Sequence, residues 1–324
     1  MNDLSQSQPQ SEPSSNSAID IPRAFKNQLF RDSGDITDPL NEYEKALYDN
    51  VTEALESSTE VSAFVPVLPR QLAAFLEEIA KENTDFDKVR EIVESDMSLA
   101  GETIRVANSP LYRRSVVEIE SIGKAISMLG LDGVNLIASS LMMKQVLKIK
   151  SKELQEIGET LWRHCLECAE ACRIIYEGED AFTAYLLGLV HDVGAVAIFS
   201  CYVSQLPSTD CNNLDGNRVL KILLEEQTSW LSAHIAKEWK LPKAIIDALQ
   251  DYDTMQQMQE IGCITEDKHP LALVLERANE TSEVYTLVEN GVIDRESGHL
   301  ELQALGLSDE QVTALFERFA NMGQ

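Results

Sequence analysis

Residues 184 to 199, AYLLGLVHDVGAVAIF, form an apolar run into which His191 and Asp192 are set as the strongly polar pair. A run this apolar belongs in a core, and burying an imidazole and a carboxylate there is costly unless each finds hydrogen-bond partners or a metal. Neighbouring elements must therefore converge on this pair. Adjacent His and Asp can ligate one divalent ion, through a ring nitrogen and a carboxylate oxygen. A buried His hydrogen-bonded to a buried Asp accounts for the same two residues without a metal. The run is too short, and too interrupted, to span a bilayer, so no membrane insertion is expected.

The remaining chain reads as helix after helix, with apolar residues three and four apart and almost no alternation of period two. The expected fold is all-α. Residues 1–40 are rich in Ser, Gln, Asn, Asp and Pro and lack sustained periodicity, which marks a disordered leader. A helical extension occupies 41–60, with Tyr43, Ala46, Leu47 and Val51 along one side. The Pro66 to Pro69 segment forces an extended entry into the main domain, 61–290. That domain divides into an N-terminal half, 61–150, and a second half, 151–290, and a helical extension closes the chain at 291–324. In the first half, Thr84 and Asp87 suit a capping box, and Asp96 suits the cap of a helix that stops at Asn108-Ser109-Pro110. Gly130 ends the helix begun at Ile122, and in the second half a long helix from Glu153 to Tyr176 carries His164 and three cysteines.

Charge narrows the partners. A formal net charge of -27 over 324 residues repels phosphate backbones, so nucleic acid is not an expected ligand. The one basic cluster, Lys144, Lys148, Lys150 and Lys152, reads as a solvated helix end. The start, MNDLSQSQPQ, has neither the basic beginning nor the apolar core of a secretory signal, which points to the cytoplasm. In that compartment the six cysteines are expected as free thiols. Cys165, Cys168 and Cys172 share a helix face and read as a small-residue core stripe, since no second CxxC completes a zinc site. His234 and His269 suit a half-buried side chain and a helix start, and His299 falls in a polar turn. No phosphate loop, dinucleotide fingerprint or nucleophile elbow is present.

The order LPRQLAAFLEEIA, ESDMSLAGETIRVANSPLY, IESIGKAISMLGLDGVNLIASS, LWRHCLECA, AFTAYLLGLVHDVGAVAI, AHIAKEWKLPKAI resembles the HDOD domain, the HD-related output domain of bacterial signalling proteins. The resemblance covers roughly residues 61 to 290. It implies an all-helical domain in two halves, the second related to HD-type metal phosphohydrolases, and a regulatory role in a bacterium.

Against that pattern the chain departs at three places. Active HD enzymes carry a further Asp in a late helix, where LALVLERANET offers Asn279, a neutral and poorer ligand. Ala195 stands where related phosphodiesterases have Lys after the HD-x-Gly turn, and Asp251-Tyr252 stand near an expected His pair. The expectation is a degenerate HD site of His164, His191, Asp192, Gly194 and Asn279, with no catalytic residue and no cofactor. Gly194 would let two helices approach closely. Asn108 and Ser109 are expected to satisfy a helix end and to line a crevice between the halves.

The function implied is a noncatalytic signalling module that holds other proteins, with partners from two-component or cyclic-dinucleotide pathways. One alternative is a metal-dependent phosphohydrolase or phosphodiesterase, with iron, manganese or zinc on His164, His191 and Asp192. Another is a module that senses a nucleotide without turning it over.

Overall fold

The computed structural model describes residues 19–30, 39–57, 60–79, 81, 84–113, 116–149, 154–206, 218–260 and 268–322. Among them there are helices and no strand. Most of the leader, Lys150, Lys152, the 207–216 loop, Cys211 and Cys263 lie outside the described residues.

The leader nevertheless contains a helix, α1 (Ile21–Leu29), with Asp20 accepting from the Arg23 backbone N–H as its cap and Pro22 in its first turn. Composition hid it, because Ile21, Phe25 and Phe30 are few among polar residues; all three are buried against the body. The extension follows as α2 (Glu42–Glu56), opened by a reciprocal capping box between Asn41 and Glu44. It packs on helices of the second half.

The first half comprises α3 (Arg70–Ile79), α4 (Phe86–Glu94), α5 (Met97–Ala107) and α6 (Ile122–Val146). α4 is capped by Asp85, which accepts from the Asp87 and Lys88 N–H groups, and not by Thr84 as the capping-box pattern suggested. Asp96 caps α5. Gly130, at φ 78 and ψ 170, kinks α6 at the point where a helix end was expected.

The second half is built on α7 (Gln155–Ile175), α8 (Ala181–Val190), α9 (Val193–Gln205), α10 (Arg218–Glu238), α11 (Lys243–Glu260) and α12 (Pro270–Glu289). The His-Asp run is therefore two helices, not one. His191 and Asp192 form the turn between α8 and α9. By length and composition Ile122–Val146 and Ala181–Gln205 could each cross a membrane, but 83% of the apolar window in the latter is buried inside the protein, as a core requires. The C-terminal extension adds α13 (Arg295–Ala304) and α14 (Asp309–Met322). His299 belongs to α13 rather than to a turn, and its Nε2 lies 2.8 Å from Asp309.

Two close approaches set the spacing of the core. A side chain on Gly188 would meet the Ala169 backbone at 2.7 Å, so α8 lies directly on α7. Gly194 brings α9 onto α10: its N–H donates to Ser232 Oγ at 2.9 Å, and a Cβ there would stand 2.4 Å from the Thr228 carbonyl oxygen.

The halves meet through Glu170, a buried carboxylate on α7 that accepts from Arg173 (2.8 Å) and from Arg318 of α14 (2.7 Å). Arg318 also donates to the Leu111 carbonyl at 3.3 Å and lies 5.0 Å from the Tyr112 ring centre. Thus the loop after α5 reaches the junction through Leu111 and Tyr112. Asn108 itself stitches the loop shut, donating to Ile104 O (3.0 Å) and Ile119 O (2.7 Å) and accepting from Ile119 N–H (2.9 Å). Asn108 and Ser109 line neither of the two cavities described below. The space near the junction is walled instead by Phe64, Val65, Val146, Val196, Phe199 and Val203.

Because the Gly194 contact is with backbone, which cannot step aside, Gly194→Ala is expected to destabilise the fold by about 2 kcal/mol or more. Denaturant unfolding measures this. An unchanged midpoint would show that α9 and α10 are not held at this separation.

Candidate functional site

Three elements converge on one buried point. α7 delivers His164, the α8–α9 turn delivers His191 and Asp192, and α12 delivers Asn279, Ser282 and Glu283. Among the described residues, His164, His191 and Asp192 are the set whose ligand-type atoms gather within 4.8 Å of one another. The two imidazoles are almost fully buried, with ring centres 5.2 Å apart, while Asp192 keeps 22% of its side chain exposed. Asp192 reaches both rings, each of its oxygens 3.5 Å from one Nε2.

The outer nitrogens decide what the inner ones can do. His191 Nδ1 is 2.7 Å from the Gly188 carbonyl, which only accepts, so Nδ1 carries the hydrogen. His164 Nδ1 is 3.0 Å from Ser282 Oγ, which lies 2.9 Å from Glu167 Oε2 and 3.3 Å from the His164 carbonyl; with the hydroxyl hydrogen on either of these acceptors, this Nδ1 is the donor. Burial pushes His164 down to about 4, which keeps its ring neutral near pH 7. Where Nδ1 carries a ring's one hydrogen, its Nε2 presents a bare lone pair to the centre.

At that centre stands the amide of Asn279, with Oδ1 3.0 Å from both Nε2 atoms and Nδ2 donating to Glu283 Oε1 at 3.1 Å. In that orientation an amide oxygen faces two lone pairs, a repulsion that a cation between them or a hydrogen on Nε2 would relieve. Turning the amide by half a rotation puts its two N–H hydrogens on the two imidazoles, an exchange of nearly identical outlines. Its oxygen then needs a donor at Glu283. Burial pushes that carboxyl up to about 8, so at neutral pH it holds the required hydrogen. The two imidazoles, the amide and Glu283 Oε1 are then paired without a metal, while Glu283 Oε2 remains buried without a hydrogen-bond partner.

A divalent ion fits this site poorly by comparison. Its only anionic ligand would be Asp192, since Asn279 is neutral and Glu283 protonated, and divalent centres are anchored by charge as well as geometry. Ala195 lines the adjoining cavity and offers no cation for a substrate phosphate. The cysteine stripe contributes nothing: Cys165, Cys168, Cys172 and Cys201 are buried free thiols, with the first two pushed well above the usual thiol range by burial.

Sequence reasoning found His164, His191, Asp192, Gly194 and Asn279, and the structure brings the first three and Asn279 to one point while Gly194 supports them through α10. It missed Ser282, Glu167, Glu283 and Gly188. Ser282 and Glu283 lie three and four residues beyond Asn279, hence on one helix face, which is the signal that would have found them. His269 caps α12 through Nδ1, and His234 stacks on Trp230, both apart from the centre.

The HDOD domain model matches residues 65–255. This chain belongs to the HDOD family. The HDOD chain is also similar in fold to three solved structures. One, from Shewanella amazonensis SB2B and provisionally named a metal-dependent phosphohydrolase, is 19% identical with a TM-score of 0.61, covering 87% of this chain and 98% of that one. A Geobacter sulfurreducens HDOD domain protein of unknown function is 21% identical with a TM-score of 0.58, covering 86% and 97%. A protein from Marinobacter aquaeolei VT8, provisionally named for signal transduction, is 18% identical with a TM-score of 0.51, covering 89% and 69%. At these identities the likeness is one of fold. No curated protein matches the chain by sequence.

Two outcomes test the network. His191→Ala leaves the Gly188 carbonyl and part of the Asn279 amide without partners and opens a cavity, so a loss of roughly 3 kcal/mol is expected in calorimetry. An unchanged melting temperature would contradict it. Glu283, raised from 4.5 to about 8, binds its proton more tightly in the folded chain, so its stabilisation is present below 4.5 and lost as pH rises through 8. His164, lowered from 6.5 to about 4, has already delivered its full contribution above 6.5. Between pH 6.5 and 8 stability should therefore fall by about 2 kcal/mol from Glu283, with a smaller fall of the same sign from Glu167, which burial raises to about 7, and Glu283→Gln should remove the larger part of that slope in pH-dependent denaturation.

Proposed function

We propose that this HDOD protein is a noncatalytic signalling module, acting by holding other proteins, in which the HD metal centre has become a metal-free structural network. The observation that carries this reading is the seating of the Asn279 amide against both imidazoles, 3.0 Å from each. An amide can donate to two lone pairs at once, whereas a carboxylate there could only accept and would call for a cation. The acidic surface suits protein partners over nucleic acid, and two-component or cyclic-dinucleotide signalling proteins in the bacterial cytoplasm are the class the family suggests.

The second reading is a metal-dependent phosphohydrolase. It draws on the convergence of His164, His191 and Asp192 within 4.8 Å and on the name given to the Shewanella amazonensis structure. In that case the bound ion would supply Lewis-acid chemistry and lower the pKa of a coordinated water. His164, His191 and Asp192 would hold it.

Metal analysis of wild type and Asn279→Asp, each purified without chelator and offered manganese, iron and zinc, separates the two. The proposal predicts a wild type with only trace metal and no turnover on a phosphoester panel, and a variant that gains near-stoichiometric metal because a second anionic ligand now faces the imidazoles. Near-stoichiometric metal in wild type, lost with phosphoesterase activity in His191→Ala, would establish the second reading instead.

A further inference from the structure

Helix α1 lies outside the stretch that matches the family, yet it roofs the His-Asp-Asn centre. Ile21, Phe25 and Phe30, spaced i, i+4 and i+9, turn inward and are buried, with the Phe25 ring centre 4.9 Å from that of His164. On its flank Lys26 pairs with Glu225 of α10 at 3.2 Å, and the buried Lys221 of α10 donates to Asn27 Oδ1. A helix of nine residues does not sustain itself in water. The cleft between α7, α10 and α12 is what holds it in helical form.

The seat is larger than its occupant. A cavity of about 170 Å³ remains between Phe25 and Lys26 above and Asp192, Tyr252, Asn279 and Glu283 below. Its wall carries Glu225, Glu276 and Glu280, and α1 brings Lys26 to that wall. A groove of mixed lining, with Leu161, Phe199 and Leu224 for apolar contact and acidic groups on its wall, already filled by an amphipathic helix, has the form of a helix-binding surface.

We propose that this cleft is a docking groove for an amphipathic helix of a protein partner, and that α1 is its resident occupant in cis, displaced when the partner binds. The partner helix carries apolar side chains at i, i+4 and i+8 or i+9, the second of them aromatic, followed by Lys or Arg facing the acidic rim. Residues 30–41 tether α1 to α2, so α1 competes at a high effective concentration. A helix that fills the remaining cavity overcomes that advantage. This proposal rests on the interaction-module reading and locates its surface.

The test uses a fluorescein-labelled peptide of residues 19–30 as probe and anisotropy titration against the full chain. The Lys26→Glu variant sets like charge against Glu225 and unseats α1 without altering the groove, and Phe25→Asp does the same through the apolar side; circular dichroism confirms that each is folded. At least about tenfold tighter binding to either folded variant than to wild type is expected, since the competitor in cis has been weakened. A probe peptide carrying Phe25→Asp should bind none of them. Equal affinity for wild type and both variants, or no binding to any folded variant, would overturn the proposal. So would a wild-type dimer by light scattering in which α1 crosses between copies. None of these results depends on metal content or turnover, which test the interaction-module reading separately.

Discussion

The amide of Asn279 lies against two buried imidazoles, and the second helical half is assembled around that contact. His164 comes from α7, His191 from the turn between α8 and α9, and Asn279 from α12, so one side chain joins three elements far apart in the chain. Around it the Nδ1 partners, Gly188 O and Ser282 Oγ, hold the rings in one tautomer, and Glu283 completes the far side of the amide. Buried polar networks of this kind rigidify a core to the extent that their members are satisfied. The close approaches at Gly188 and Gly194 bring the helices near enough for that to happen.

On the reading proposed above, an amide in place of a metal changes what a site can do while leaving its architecture in place. An ion ties ligands together and also polarises substrate and water; an N–H pair ties the ligands together and does no more. The imidazoles and Asp192 give α7, the helical turn and α12 a common anchor. In the proposed reading the amide at position 279 stands where a charged ligand would be needed, and burial pushes the neighbouring Glu283 carboxyl up to about 8, so that it adds no charge at neutral pH. Above this centre lies the cleft that α1 occupies.

Most of the fold was legible in the sequence because helical periodicity, Gly130 and Asp96 are local signals with local consequences. The parts that were not legible depend on tertiary contact. α1 is a helix because a cleft elsewhere in the chain receives Ile21 and Phe25, and nothing in residues 1–40 announces that cleft. The apolar run 184–199 carries no signal for the break at His191-Asp192, which comes from the need to aim both side chains at one point. Of the site, the residues with metal-ligand chemistry were visible and those that satisfy them were not: Ser282, Glu167 and the Gly188 carbonyl acquire their roles only from distances across the core.

The central claim is that both Nε2 atoms accept hydrogen bonds from an amide and ligate nothing. Long-range proton-nitrogen correlation NMR of the histidine side chains reads this directly. The account predicts Nδ1-protonated tautomers for His164 and His191, with unprotonated Nε2 signals that do not move when a strong chelator or zinc is added. Nε2 resonances that shift on chelation, or a proton on either Nε2, would contradict it.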